Sequence, residues 1–155
     1  MEPQDYLKRL ERLKDNRTNF DTQWQEVKDV VWPDAGDFIT KRSPGEKTTR
    51  RIYEMTAALA LEKFASAMES FLVPRHLRWH GLMASDDTVQ KDPQVQEWME
   101  NATRTLFKNR ERPQARFYGQ FNEGLKSLGA FGNECVFTND DSSGRGVNYR
   151  SEERL

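Results

Sequence analysis

The chain has 155 residues, 24 basic and 25 acidic side chains with a formal charge of −1, 35% hydrophobic residues and 11% aromatic residues. That length and apolar content allow one domain with a thin core that leans on neighbouring elements or subunits, and the aromatic fraction excludes a disordered chain. The charge balance excludes a general nucleic-acid binder, a single cysteine excludes an internal disulfide and a cysteine-based zinc site, and no apolar run is long enough to span a bilayer.

The polar start, Met1-Glu2-Pro3-Gln4-Asp5, has neither the basic residues nor the apolar stretch of a signal peptide, so a reducing, cytoplasm-like compartment is expected. A first helix is predicted over about residues 4–32. Leu7, Leu10, Leu13, Phe20, Trp24, Val27 and Val31 recur three or four apart, and Arg17 fills the gap in the stripe. Asn16-Arg17-Thr18-Asn19 is weakly helical and predicts a kink or break. Pro33 ends the element.

A loop with Gly36 and Ser43-Pro44-Gly45 leads to a second helix over about residues 48–73, stopped by Pro74. Ile52, Ala57, Leu61, Phe64, Met68, Phe71 and Leu72 mark its apolar side, and its alanines admit a close neighbour, so both faces are expected to be covered. Arg75 to Ala84 reads as extended chain or turn, with Leu77, Trp79, Leu82 and Met83 turned inward and a polar linker after it. Asp92-Pro93 is a capping side chain followed by proline at the first helical position, and predicts a third helix over about residues 93–108. Its inward residues are Val95, Trp98, Met99, Ala102, Leu106 and Phe107. A fourth helix over about residues 113–128 carries Phe117, Phe121, Leu125 and Leu128, with Gly129 and Gly132 as its stop. Alternation from Glu134 to Asn139, a turn-rich loop and Val147 to Arg150 predict a hairpin over about residues 134–150. The fold class is α+β, mostly α: about four helices and then a small antiparallel β-hairpin.

Few residues suggest chemistry. His76 and His80 have a metal-ligand spacing but follow Pro74 and flank Gly81, where a helix is not expected, and no further ligand lies nearby. Asp86-Asp87 and Asp140-Asp141 read as solvated turns, since no base or hydroxyl constellation accompanies them. Cys135, in the first strand of the hairpin, reads as a small core residue. The glycines match neither a phosphate loop nor a dinucleotide fingerprint, and no catalytic site and no cofactor is expected. Basic residues form three clusters: Lys41, Arg42, Lys47, Arg50 and Arg51; Arg75 and Arg78; and Lys108, Arg110, Arg112 and Arg116. They read first as solvated faces and intersubunit ion pairs, and second as contacts with DNA or an acidic partner, with Lys41, Arg42, Lys47, Arg110 and Arg112 as the candidates. Arg50 and Arg51, beside Tyr53 and Glu54, predict an internal or intersubunit ion pair.

Two stretches carry a family resemblance. Phe20 to Pro33 is a helix with aromatic residues that ends in proline. Arg51 to Leu82 holds Arg-Ile-Tyr-Glu-Met-Thr-Ala-Ala, then Ala65-Ser66, Phe71-Leu72, Pro74, Trp79 and Leu82. In this order, with a weaker match at Leu128-Gly129 to Gly132-Asn133, the chain resembles the head-to-tail connecting (portal) proteins of short-tailed bacteriophages. The resemblance implies part of a portal wing domain over residues 1–155, within a subunit of a homo-oligomeric ring, usually a dodecamer, at one capsid vertex. It implies a structural role in a virion assembled in the host cytoplasm. Double-stranded DNA would pass the ring during packaging and ejection. The major capsid protein, the terminase motor and tail adaptor proteins would be its partners, with no membrane. Family members are several times longer, with a stem and clip beyond the wing, and this chain is expected to stop before them. Trp24, Trp32, Arg51, Tyr53, Trp79 and Trp98 are the expected interface or packing anchors. The alternative reading is a small standalone DNA-binding or packaging accessory protein that uses the basic clusters.

Overall fold

A computed structural model describes residues 3–39, 45–47, 52, 54–140 and 146–151. It is mostly helical and closes with a two-stranded antiparallel sheet. Helix α1 spans Pro3–Val31 without interruption. The break expected at Asn16–Asn19 is absent because local pairing absorbs the polar side chains. Arg17 Nε donates to Asp21 Oδ1 at 2.8 Å, while the Thr18 and Thr22 hydroxyls donate one turn back to the Lys14 and Thr18 carbonyls.

Helix α2, Thr56–Leu72, starts later than the sequence predicts, and Ile52, Glu54 and Met55 stand outside it. The strong helix formers begin at Ala57, whereas β-branched and aromatic residues dominate just before. The expectation that both faces are covered also fails. Leu61 and Ala65 are buried, but Leu59, Phe64, Leu72 and Phe71 (83% exposed) are not. The buried side lies on Gly129, where an added Cβ would come within 2.8 Å of Phe64 Cδ1 and 3.0 Å of Leu61 Cδ1.

The expected linker contains one turn, α3, Asp87–Gln90, capped by Asp86, whose carboxylate accepts from Thr88 N at 2.8 Å. Leu77, Leu82 and Met83, expected inside, are exposed. Helix α4, Pro93–Arg110, starts as predicted, with Asp92 Oδ1 accepting from Gln94 N at 2.9 Å. Its buried residues are Thr103 and Phe107, and Trp98 faces outward. The buried face turns toward Thr103 because the Thr103 hydroxyl accepts from Leu82 N at 3.1 Å, which binds the extended segment to that side.

The fourth predicted helix is split. A short 3-10 turn, Pro113–Ala115, is followed by Arg116 in the left-handed region (φ 53°), and α5 runs Phe117–Phe131. Gly129 does not stop α5. Gly132 does, at φ 79°, with its N–H donating to Leu128 O at 3.0 Å. Strands β1, Val136–Asp140, and β2, Val147–Ser151, pair antiparallel with Thr138 opposite Tyr149 and Asp140 opposite Val147. Helix α5 is the central element: α2, α1 and β2 all pack on it, and Leu125 is fully buried there.

Candidate interaction surface

Two packed clusters hold the elements in place. The first fixes the chain that leaves α1. Lys28 is completely buried (0% exposed), and its Nζ donates to Asp37 Oδ1 at 2.8 Å with Asp29 Oδ1 at 3.7 Å. Gln25 completes the network. Its Oε1 accepts from the N–H groups of Phe38 (2.9 Å) and Ile39 (3.2 Å), and its Nε2 donates to Asp37 Oδ1 (3.1 Å) and Asp29 Oδ1 (3.2 Å). This polar clamp sets Phe38 against Trp24 and Phe131, at centroid distances of 5.6 and 5.0 Å, while Trp32 stacks on Phe131 at 6.1 Å. Lys28 was not singled out from the sequence. The signal was there, because Lys28 lies four residues after Trp24 and three before Val31, on the apolar face.

The second cluster joins α4, α5 and β2. Trp79 stacks parallel to Phe117 (6.3 Å, 7°), and Phe117 meets Tyr149 of β2 edge-on at 4.9 Å. The Arg110 guanidinium lies over both rings, 5.2 Å from Trp79 and 5.5 Å from Phe117. Its Nη1 is 2.9 Å from His80 Nε2. Guanidinium only donates, so Nε2 accepts and the ring proton sits on Nδ1. Burial, and then the Arg110 charge, hold the His80 pKa below the ordinary histidine value, which keeps the ring neutral. Trp79 Nε1 and His80 Nδ1 are buried without a hydrogen-bond partner among the described residues.

The residues singled out from the sequence therefore fall into distinct places. Trp24, Trp32 and Trp79 belong to internal aromatic packing, and Trp98 is 64% exposed. Arg110 is committed to the second cluster; Lys47 and Arg112 have exposed side chains. Lys41, Arg42, Arg50, Arg51, Tyr53 and Asp141 lie outside the described residues. His76 lies in the turn after Pro74 and His80 in the irregular chain beyond it, and the two share no site. Thr88 hydrogen bonds to Asp86 hold its carboxyl below the usual carboxylate range, as a helix cap requires. Among the described residues no group of three or more His, Cys, Asp or Glu side chains is placed to hold a metal ion. No helix among them is long and apolar enough to cross a membrane.

Many large apolar side chains are also exposed. The N-terminal half of α1 presents Tyr6, Leu7, Leu10 and Leu13, α2 presents Leu59, Phe71 and Leu72, and the α3–α4 corner presents Met83, Val89 and Trp98. Large apolar side chains on three separate elements are the marks of contact surfaces. The model of the family described as "Bacteriophage head to tail connecting protein" matches residues 3–151. The chain belongs to the bacteriophage head-to-tail connecting protein family. Two curated relatives agree with this placement. A protein described as "Probable portal protein" from Bordetella phage BPP-1 is 28% identical over 127 residues, 81% of this chain and 22% of the relative. The "Portal protein" of Salmonella phage epsilon15 is 25% identical over 136 residues, 87% of this chain and 24% of the relative. The connecting-protein chain thus corresponds to less than a quarter of the length of either relative.

Proposed function

We propose that this chain is the N-terminal portion of a portal subunit, a structural element of the homo-oligomeric connector ring through which double-stranded DNA is packaged and ejected. The family match over residues 3–151 carries the reading, and the two relatives named as portal proteins support it. Its role is mechanical and not catalytic. The clamp at Lys28 and the aromatic stack at Trp79 make a stiff wing-like body, and the exposed apolar residues meet neighbours in the capsid vertex. Those neighbours are other copies of the subunit, the major capsid protein, the terminase motor and tail adaptor proteins. The site of action is the virion. Of the candidate DNA contacts within the described residues, Lys47 and Arg112 expose their side chains and Arg110 stabilises the fold instead.

Native mass spectrometry of the gene product isolated from its own source tests this. A closed ring of many copies, a dodecamer in the family pattern, is expected. A monomer or dimer overturns the reading. Steeply salt-dependent binding of that small species to DNA would then point to a packaging accessory protein.

A further inference from the structure

We infer that the N-terminal half of α1 is a docking stripe for the α3–α4 corner of a second copy of the chain. The inference rests on the ring reading and adds to it the two surfaces that meet. It begins with spacing. Tyr6, Leu10, Leu13, Arg17, Phe20, Trp24, Val27 and Val31 alternate four and three residues apart along the whole of α1, the spacing of a coiled-coil seam. The C-terminal half of this seam is covered from within the chain, where Trp24 packs on Phe38 and Phe131. The N-terminal half continues the same line exposed: Tyr6 is 58%, Leu10 48% and Leu13 54% accessible. Large apolar side chains left exposed in a row along one helix face mark a surface for a partner. The stripe therefore needs a partner surface.

Charge restricts what that surface is. The residues beside the exposed seam, Arg9 and Lys14, are both basic. Two α1 helices pairing in parallel would set Arg9 of one against Lys14 of the other, a like-charge contact that opposes self-association. The fitting partner is apolar and edged with carboxylates. The α3–α4 corner has this character: Val89 and Trp98 are exposed, and the stretch that holds them also carries Asp86, Asp87, Asp92 and Glu97, with Lys91 as the one cation from Asp86 to Trp98. Among the described residues the stripe is exposed, so the contact we infer is one between copies. Because the two patches are different surfaces of the same chain, their pairing is head-to-tail, the kind of contact that closes into a ring.

The test uses the gene product purified as its assembled particle, with Cys135→Ser, Leu13→Cys and Glu97→Cys, treated with a short bismaleimide. A ladder of covalently joined subunits on a denaturing gel is expected, with none from Leu13→Cys or Glu97→Cys alone. An intact ring without the ladder overturns this inference and leaves the ring reading standing. So does cross-linking confined to single subunits, to other proteins, or to the Leu13→Cys variant alone. If the parent protein forms no ring, both fail together. A second variant guards against local damage. Arg9→Glu with Lys14→Glu should leave the circular dichroism unchanged but abolish ring assembly, and Asp87→Lys with Glu97→Lys should restore it. Unchanged assembly by Arg9→Glu with Lys14→Glu would also overturn the inference.

Discussion

Lys28 is the residue whose removal tests the packing account most sharply. Its ammonium is buried, and it faces Asp37 and Asp29, each with 18% of its side chain exposed. Lys28→Met keeps the length and apolar stem of the side chain but removes the buried ammonium that faces both carboxylates. Breaking a buried pair in this way costs about 3–5 kcal/mol. Here the Gln25 amide still donates to both aspartates and water reaches them in part, so the lower end, about 3 kcal/mol, is expected. For a chain of this size each kcal/mol lowers Tm by roughly 2–4 °C, which gives a loss of about 6–12 °C. Asp37→Leu alone leaves Lys28, among the described residues, with the longer Asp29 contact, and the double variant Lys28→Met/Asp37→Leu should be less destabilised than the two single changes added together. Thermal unfolding at neutral pH, followed by circular dichroism on all four proteins, reads the cycle. A Tm loss below about 2 °C for Lys28→Met, or simple additivity, would refute the clamp.

Three further predictions follow from single residues. Burial raises the pKa of Glu134, which packs against Gly124 with Oε1 unpartnered among the described residues, so its stabilising protonation is lost as pH rises from the ordinary glutamate value through the raised folded one. Glu134→Gln should therefore have a higher Tm than the parent at pH 7, and the gain should vanish near pH 4; a gain independent of pH would contradict this. His80 is shifted the other way, so the unfolded chain takes up its proton first and stability falls as pH drops below about 6.5. His80→Gln should remove that slope, and an unchanged slope in the difference curve would place the titration elsewhere. Thr103→Val leaves the Leu82 N–H without its acceptor and should cost about 1–2 kcal/mol in denaturant unfolding, against near zero if the extended segment is held by other contacts.

The parts of the fold that were legible in the sequence are those decided locally. The α4 start follows from Asp92-Pro93 alone, and the α1 stripe and the hairpin follow from spacing and alternation. The parts that were not legible depend on partners distant in sequence. Gly129 reads as a helix stop, yet it lies within α5, and glycine fits there because Leu61 and Phe64 of α2 occupy the space a side chain would need. Trp98 lies among the spaced apolar positions of α4 and reads as core, but the segment around Leu82 binds the Thr103 side of the helix and Trp98 is left at the surface. Arg110 reads as one of a basic cluster, and only the fold brings Trp79, His80 and Phe117 around it. The candidate contact surface was thus visible as a list of large aromatic residues, without the division into those that build the body and those that face outward.

The connector account is tested most directly by electron cryomicroscopy of the virus particle that carries this gene, reconstructed at the tail vertex without imposed icosahedral symmetry. The account predicts the α1-to-β2 fold repeated around a ring at that one vertex. Density at the vertex that lacks this fold, or the chain found only apart from the particle, would contradict it.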